Sequence, residues 1–332
     1  MILVAGGAGF IGSAYVRLRL DRHPGETVRV LDKLTYAGRW ENLDRVDRDS
    51  VDLIEGDIAD RDAVAAALDG VDAIVNFAAE SHVDRSIESP GDFIQTDVFG
   101  AFVLLDAARA AGIRHLQVST DEVYGSIESG AFTERSPLEP SSPYSASKAG
   151  GDLLVGAFHR TYASDALVVR ASNNYGPRQH PEKLIPLCTL NALAGDPLPV
   201  YGDGMQVRNW LYVDDFTAAI DVVLERGRPG EVYNVGGPDE LPNIEVVRRV
   251  LELAGRDDSL IEHVRDRLGH DRRYSLSSEK LQAELGWKAQ VRFAEGLART
   301  VVWYRENEWW WEPIRSGEYR AYYERQYGKA LR

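Results

Sequence analysis

The stretch Met1-Ile2-Leu3-Val4-Ala5-Gly6-Gly7-Ala8-Gly9-Phe10-Ile11-Gly12 opens the chain and decides its fold. An apolar run of strand length meets a cluster of glycines, and a helical pattern then continues to about residue 20. The glycines match the spacing G-x-G-x-x-G from position 7 and G-x-x-G-x-x-G from position 6. Small residues there allow a tight turn and let the backbone approach a pyrophosphate at the helix N-terminus. The stretch therefore predicts a dinucleotide-binding strand–turn–helix unit.

A carboxylate at the end of the next strand indicates which dinucleotide is bound. Residues 27–31 read as a buried strand that ends at Asp32, about 20 residues beyond Gly12. A carboxylate at this point accepts hydrogen bonds from a ribose diol and repels a 2′-phosphate. The pattern favours NAD over NADP, although Lys33 places a positive charge beside Asp32.

Strands and helices continue to alternate along the first half of the chain. We predict strands at 51–55, 73–77, 114–119 and 166–170, and helices at 59–68, 93–111 and 142–162. This order predicts an α/β fold, a Rossmann-type doubly wound parallel sheet with ligands beyond the carboxyl ends of its strands. The sequence assigns 1–172 to an NAD-binding domain, to which 206–235 return, and assigns 173–205 and 236–332 to a smaller, mainly helical sugar-nucleotide-binding domain.

Composition excludes several classes of partner. The 332 residues carry a formal net charge of −14 without a long basic run, so neither nucleic acid nor a membrane surface is expected as the main partner. Cys188 is the only cysteine, no apolar run approaches the ~20 residues of a membrane span, and the chain opens on a strand without a leader. These features predict a cytoplasmic protein. No His/Cys spacing indicates a metal site.

Two short motifs carry candidate chemistry. Thr120, Asp121 and Glu122 follow a predicted strand, and Tyr144 and Lys148 lie one helical turn apart. A free tyrosine has a pKa of about 10, and a nearby ammonium group favours the phenolate, which can take a proton from a hydroxyl group. Adjacent carboxyl groups can act as acid and base if their surroundings separate their pKa values. The residues alone do not say which carboxyl group plays which part.

Several long motifs also carry a family resemblance. The strings GGAGFIGS, DKLTYAG, FAAESHVDRSI, STDEVYG, YSASKAG, NNYGP, PEKLIPL, RNWLYVDD, YNVGG, DRLGHDRRY and NEWWWEP span nearly the whole chain. With them the chain resembles the extended short-chain dehydrogenase/reductase family and, within it, the 4,6-dehydratases that act on dTDP-glucose. The resemblance implies a hydro-lyase of deoxysugar biosynthesis that keeps NAD tightly bound and regenerates it in each cycle. It makes Glu122 the base and Asp121 the acid, and it implies a homodimer joined by a four-helix bundle of helices 93–111 and 142–162.

The motifs and the resemblance together assign the binding residues. Residues expected to contact the cofactor are Gly6, Gly9, Phe10, Ile11, Gly12, Asp32, Lys33, Thr35, Asp57, Ile58, Phe77, Ala78, Ala79, Tyr144 and Lys148. Residues expected to contact dTDP-glucose are Ser81, Asn173, Glu182, Lys183, Leu184, Pro199, Tyr201, Arg208, Asn243, Arg267, His270 and Tyr274. Two positions depart from the usual family strings, namely Leu268 in place of proline and Asn209 in place of aspartate.

Other functions remain open at this stage. A 4-epimerase or decarboxylase of the same family would use the tyrosine–lysine pair without an elimination step, so Asp121 and Glu122 count against it. A non-catalytic protein that senses NAD would need neither pair. The choice of thymine over uracil, and the pathway that uses the product, are not determined by these residues.

Overall fold

The computed structural model describes residues 1–315 and 318–327. Within these residues the strands are β1 (Ile2–Ala5), β2 (Val28–Asp32), β3 (Val51–Glu55), β4 (Ala73–Asn76), β5 (Arg114–Thr120), β6 (Ala166–Ala171), β7 (Asn173–Tyr175), β8 (Leu198–Tyr201), β9 (Val207–Tyr212), β10 (Val232–Val235), β11 (Asp239–Pro242) and β12 (Ile261–Val264). The main helices are α1 (Phe10–Arg22), α2 (Arg61–Ala67), α3 (Val83–Glu88), α4 (Pro90–Phe93), α5 (Ala101–Ala111), α6 (Pro143–Tyr162), α7 (Leu184–Ala194), α8 (Val213–Arg226), α9 (Asn243–Ala254), α10 (Glu279–Leu285), α11 (Phe293–Glu306), α12 (Glu308–Trp311) and α13 (Glu318–Tyr327).

A seven-stranded parallel sheet forms the centre of the molecule. Its order is β3-β2-β1-β4-β5-β6-β10, with the first strand of the chain near the middle. The four residues of β1 are all buried, as expected for a strand covered by helices on both faces. The predicted doubly wound parallel sheet is confirmed. Because the order reverses direction between β1 and β4, the strand ends diverge there and leave a crevice for ligands.

The two long helices predicted beside the sheet are present, with one difference. Ser142 caps α6 through a reciprocal hydrogen-bond pair with Ser145, which explains why the helix starts there. The predicted helix 93–111 is interrupted, because Ile94–Gly100 winds as a π-helix between α4 and α5. Hydrophobic periodicity does not report such a local change of winding, so the sequence did not predict it.

The C-terminal part of the chain builds a second core. Strands β11, β9 and β7 form a small mixed sheet, and β12 pairs with β8, so this lobe contains strands that the sequence did not predict. Trp210, Val247 and Leu297 are buried in its core between α7, α9 and α11. Burial of each such side chain contributes about 1.5–3 kcal/mol. Residues 328–332, the last ones that the sequence assigns to this domain, lie outside the described residues.

One segment of the C-terminal part packs on the main sheet instead. Leu281 and Leu285 of α10, with Trp287, join the core cluster that contains the strands and α8. The predicted return of a helix and a strand to the first domain corresponds to α8 and β10, and β10 pairs with β6 at the sheet edge. No helix within residues 1–315 and 318–327 combines the length and apolar character needed to cross a membrane.

Candidate active site

The glycine-rich turn between β1 and α1 has the close approaches that a dinucleotide site needs. Gly6 has φ +73°, and a Cβ atom there would lie 2.5 Å from the backbone nitrogen of Ala78. A Cβ atom on Gly12 would lie 2.2 Å from the carbonyl oxygen of Gly6. Any side chain at these two positions would push the turn away from β4 and from the helix start. The turn therefore fits a pyrophosphate held against the N-terminus of α1.

An open cleft of ≈ 1580 Å³, measured out to its mouth, runs along the carboxyl ends of the strands. All fifteen residues predicted to contact the cofactor line it, as do Thr120, Asp121 and Glu122. The cleft therefore brings the residues predicted to bind the cofactor together with the hydroxyl, carboxyl and phenol groups that the sequence singled out. Their contacts with a ligand remain predictions.

Asp32 sits at the end of β2 and lines this cleft. Its carboxylate accepts hydrogen bonds from the backbone nitrogens of Ala8 and Leu34, each at 2.9 Å. Burial raises the pKa of Asp32, while these two hydrogen bonds lower it. Lys33 forms an ion pair with Asp57 at 2.7 Å, so its charge is matched by a carboxylate of the chain. The positive charge of Lys33 was the feature of the sequence that counted against NAD, and this ion pair removes that argument.

The turn after β5 presents two carboxyl groups to the cleft. Asp121–Tyr124 form a single 3₁₀ turn whose N-cap is Thr120. The Thr120 hydroxyl accepts a hydrogen bond from the Glu122 nitrogen at 3.3 Å and donates to Asp121 Oδ1 at 3.2 Å. Tyr124 anchors the far end of the turn, since its hydroxyl donates to Asn234 Oδ1 at 2.8 Å. Hydrogen bonds at both ends therefore fix the conformation of the turn.

The surroundings of Asp121 and Glu122 differ in a way that separates their chemistry. Burial and the neighbouring Glu122 charge raise the pKa of Asp121 to about 8. Its Oδ2 atom is buried and has no hydrogen-bond partner in the described part of the chain. Burial also raises the pKa of Glu122, but Arg267, Arg208 and Lys183 all act to lower it. The structure thus favours a protonated Asp121 beside a Glu122 surrounded by cations, which suits an acid and a base respectively.

Tyr144 and Lys148 project from the first turns of α6 towards the same cleft. The Lys148 ammonium donates to the carbonyl oxygen of Val118 at 2.8 Å. Burial and the charges of Glu122 and Asp97 raise the pKa of Tyr144 well above 10, and a hydrogen bond with Thr120 lowers it. The sequence predicted that Lys148 would favour the phenolate. In this structure, burial and the charges of the neighbouring carboxylates act in the opposite direction and raise the pKa of the phenol.

The predicted substrate residues fall into two groups. Four line the cleft, namely Ser81, Asn173, Glu182 and Lys183. Eight do not line it, namely Leu184, Pro199, Tyr201, Arg208, Asn243, Arg267, His270 and Tyr274. Several of the second group nevertheless make contacts with one another or with Asp84 on α3. Arg208 stacks over Tyr274 at 4.2 Å, Tyr201 donates to Asp84 at 3.1 Å, and Arg267 lies 3.9 Å from Asp84.

Glu182 is held as a buried junction between loops. Its Oε1 accepts a hydrogen bond from the Tyr36 hydroxyl at 2.9 Å, and Oε2 lies 3.4 Å from Arg85 Nε. The cationic surroundings lower the pKa of Glu182 to about 2, against the effect of burial. Lys183 donates to the Ser81 carbonyl oxygen at 2.5 Å. These contacts join the segment before α7 to the loops that follow β2 and β4.

Several further cleft residues were not found from the sequence. They include Gly38, Gly56, Glu80, Thr96, Gln179, His180 and Phe216. Gly38 had a usable signal, because it ends the quoted string DKLTYAG, and a Cβ atom there would lie 2.5 Å from Asp32 Oδ1. The others lie on helices and loops whose position depends on packing, so no local pattern marks them.

Replacing Arg208 with alanine is expected to weaken substrate binding more than turnover. Its guanidinium group stacks on Tyr274 and acts on both Asp121 and Glu122, so it faces the same space as they do. Loss of one charged hydrogen bond to a phosphate should raise KM about 10–100-fold. Steady-state kinetics measures this effect. Arg272→Ala is the matched control, since Arg272 forms an exposed ion pair with Asp203. An unchanged KM in Arg208→Ala would contradict the assignment.

The fold and the position of the cleft define the class of protein. A tyrosine–lysine pair on a long helix faces the glycine turn across the carboxyl edge of a parallel sheet, as in the extended short-chain dehydrogenases/reductases. The sequence matches the family described as GDP-mannose 4,6 dehydratase over residues 3–300, and the chain belongs to this family.

Relatives narrow the comparison to one branch. A dTDP-glucose 4,6-dehydratase of Streptomyces antibioticus is 51% identical over 320 residues, which cover 95% of each chain. The crystal structure of the dTDP-glucose 4,6-dehydratase DesIV from Streptomyces venezuelae, with NAD and a second ligand bound, is 55% identical. It matches with a TM-score of 0.92 over 94% of this chain and 99% of that chain. The predicted resemblance to the dTDP-glucose 4,6-dehydratases is confirmed.

A sugar epimerase shares the fold at lower similarity. The UDP-glucose 4-epimerase of Thermus thermophilus, crystallised with NAD, is 33% identical and gives a TM-score of 0.86. That match covers 92% of this chain and 99% of the epimerase. The fold is therefore common to both activities, and the choice between them rests on the site and on the more similar relatives.

Proposed function

We propose that this enzyme is an NAD-dependent dTDP-glucose 4,6-dehydratase whose elimination step is carried by Asp121 and Glu122. The observation that carries the proposal is the pair of adjacent carboxyl groups with different surroundings, placed beside Tyr144 in a dinucleotide cleft. The product is dTDP-4-keto-6-deoxyglucose, a precursor for deoxysugar biosynthesis.

The chain's own residues would hold NAD along the cleft. The turn of Gly6, Gly9 and Gly12 would receive the pyrophosphate, Asp32 would hold the adenosine ribose, and Lys148 would hold the nicotinamide ribose. When bound, the cofactor would supply a hydride acceptor for C4 and a hydride donor for C6, so that no net oxidant is consumed. The close packing of Gly6 on Ala78 supports this placement.

The proton transfers are assigned to the cluster around the 3₁₀ turn. Tyr144 takes the proton of the C4 hydroxyl, with Thr120 as its hydrogen-bond partner. The C4 ketone acidifies the C5 proton, which Glu122 removes. Asp121, held protonated by burial, gives its proton to the C6 hydroxyl as the C6–O bond breaks and water leaves. As the hydride is returned to C6, Glu122 gives its proton to C5, and the proton taken up by Tyr144 replaces, through solvent, the one that Asp121 gave up. The net change is the loss of one water, with C4 oxidised and C6 reduced.

The phosphates and sugar hydroxyls of dTDP-glucose need cations and donors. We assign Lys183, Arg208 and Arg267 to this task because all three lower the pKa of Glu122, so they lie close enough to act on it. Arg267 is partly buried, and its Nε atom, 3.9 Å from Asp84, has no hydrogen-bond partner among the described residues, which supports a role in contacting a ligand. The remaining predicted substrate contacts, and the predicted division into two domains, stay predictions.

A labelled substrate tests the reaction directly. The purified protein is incubated with dTDP-glucose deuterated at C4, without added NAD, and the product is followed by NMR. Deuterium at C6 of a 4-keto-6-deoxy product is the expected result. Deuterium that remains at C4 with inverted configuration would indicate an epimerase. Bound NAD without turnover would indicate a sensor, and either outcome would overturn the proposal.

We further propose that the enzyme is a homodimer joined through α5 and α6. These helices pack against each other and against the π-helical segment Ile94–Gly100. Ile94 and Phe99 of that segment and Leu153 of α6 are 51%, 40% and 60% exposed. Exposed large apolar side chains suit an interface. A four-helix bundle with a second copy would bury them. A cytoplasmic location also remains a prediction, made from the composition.

Leu153→Glu is expected to convert the dimer to a monomer. A charge on each of two facing helices would have to be buried in the bundle, at a cost of several kcal/mol. Sedimentation velocity at micromolar concentration measures the change. Leu253→Glu is the control, because Leu253 is also an exposed helical leucine but lies on α9 in the other lobe. A monomeric wild-type protein would contradict the dimer.

A further inference from the structure

Asp97 is a buried carboxyl group that no step above uses. It lies on the π-helical segment Ile94–Gly100 and is only 2% exposed. The segment packs tightly on α6, since a Cβ atom on Gly151 would lie 2.8 Å from the carbonyl oxygen of Asp97. Local π-helical winding is frequent at functional sites. Here it brings a carboxyl group against the helix turn that carries Tyr144 and Lys148.

The contacts of Asp97 join α6 to the loop that follows β4. Its Oδ2 atom lies 2.7 Å from the hydroxyl of Ser147, and its Oδ1 accepts a hydrogen bond from the Glu80 nitrogen at 3.1 Å. Ala78 and Ala79 on the same loop line the predicted cofactor groove. Asp97 therefore sets the distance between the cofactor loop and the helix that carries the phenol.

The geometry around Ser147 is satisfied best when Asp97 is protonated. The Ser147 hydroxyl lies 2.7 Å from Asp97 Oδ2 and 2.8 Å from the carbonyl oxygen of Tyr144, but it has one proton for these two acceptors. A protonated Asp97 donates to the Ser147 oxygen, and Ser147 then donates to the Tyr144 carbonyl. Both short contacts of the Ser147 hydroxyl are then hydrogen bonds.

Three titratable groups act on Asp97 or respond to it from the elements packed against it. Burial raises the pKa of Asp97 to about 6. The charge of Lys148 on α6 acts to lower this pKa, and the charge of Glu80 acts to raise it. Tyr144 is coupled in return, because the charge of Asp97 raises the pKa of the phenol. A proton on Asp97 removes that opposing charge and makes the phenol easier to ionise.

We propose that Asp97 is a positioning residue whose neutral carboxyl group fixes α6 against the cofactor loop and eases the loss of the Tyr144 proton. The inference rests on the proposed dehydratase reaction, in which Tyr144 takes the proton of the C4 hydroxyl. Ionisation of Asp97 as the pH rises through about 6 opposes that step. Asp97 does not line the cleft, and acts through Ser147 and through its charge.

Asp97→Asn tests the inference because it imitates the protonated carboxyl group. The amide oxygen still accepts from Glu80, and the amide nitrogen donates to Ser147. The measurement is the pH dependence of single-turnover C4 oxidation, followed by the absorbance of reduced nicotinamide. In this variant the side chain of residue 97 carries no charge at any pH. The midpoint of the pH profile, which reports ionisation of Tyr144, should therefore move down by about one pH unit. Thermal unfolding monitors the fold at each pH.

Asp92→Asn is the matched control. Asp92 lies five residues earlier on α4 and is exposed, and it is not among the charges that act most strongly on Tyr144. The midpoint of the pH profile of Asp92→Asn should equal that of the wild-type enzyme. If Asp97→Asn does not fold, Asp97→Ser removes the same charge and should shift the midpoint in the same direction. Superimposable profiles with an active wild-type enzyme would overturn this inference alone. An inactive wild-type enzyme would overturn the proposed function as well.

Discussion

Glu122→Gln is expected to stop the reaction after the first oxidation and leave reduced nicotinamide in the site. Glutamine keeps the size of glutamate but cannot take the C5 proton, whereas Tyr144 and Lys148 are untouched. Loss of a general base costs about 10²–10⁴-fold in turnover. Mixing the variant with dTDP-glucose should therefore raise the near-ultraviolet absorbance of reduced nicotinamide without release of the 4-keto product.

The surroundings of Glu122 make this prediction specific to the residue. Arg267, Arg208 and Lys183 lower the pKa of its carboxyl group, and these cations would remain in place around the amide. Glu128→Gln is the control, since Glu128 lies in the loop beyond the same turn and is exposed. A Glu122→Gln variant with wild-type turnover would refute the role of Glu122 as the base.

Tyr144→Phe is expected to block the reaction one step earlier. Without the phenol hydroxyl, the C4 hydroxyl proton has no acceptor, so neither oxidation nor elimination should follow. Turnover should fall about 10²–10⁴-fold, with no absorbance of reduced nicotinamide. Binding of dTDP-glucose, measured by calorimetry, should persist because the phosphate ligands are intact. The two variants thus separate oxidation from elimination by one spectroscopic signal.

A second tyrosine on the same helix serves as the control for Tyr144→Phe. Tyr162 ends α6 and is 56% exposed, so Tyr162→Phe should keep wild-type turnover. Accumulation of reduced nicotinamide in Tyr144→Phe would show that another group takes the hydroxyl proton. Thr120, which hydrogen-bonds the phenol, would then be the next candidate to replace.

Local patterns were sufficient to predict the elements around the cofactor groove. Glycine spacing reports steric space at the turn, and Asp32 follows at a fixed distance because a strand–helix–strand unit has a narrow range of lengths. The structure places every predicted cofactor residue in the cleft for this reason. The substrate contacts in the C-terminal lobe were harder to predict, because the residues involved come from separate segments of the chain. Arg208 and Tyr274 meet only because β9 lies against the loop after β12.

By itself, the sequence determined the parallel sheet, the dinucleotide turn and the two pairs of reactive residues, since each depends on contacts between near neighbours in the chain. Only the tertiary structure shows that the two carboxyl groups have different surroundings. Asp121 is buried and has one cation, Arg208, among the charges that act on it, whereas three cations from distant segments act on Glu122. The structure also placed the carboxylates that raise the pKa of Tyr144 and brought Asp97 against Ser147 on the same helix. Electrostatic free energies depend on distance and on exclusion of water, and neither is encoded in local spacing.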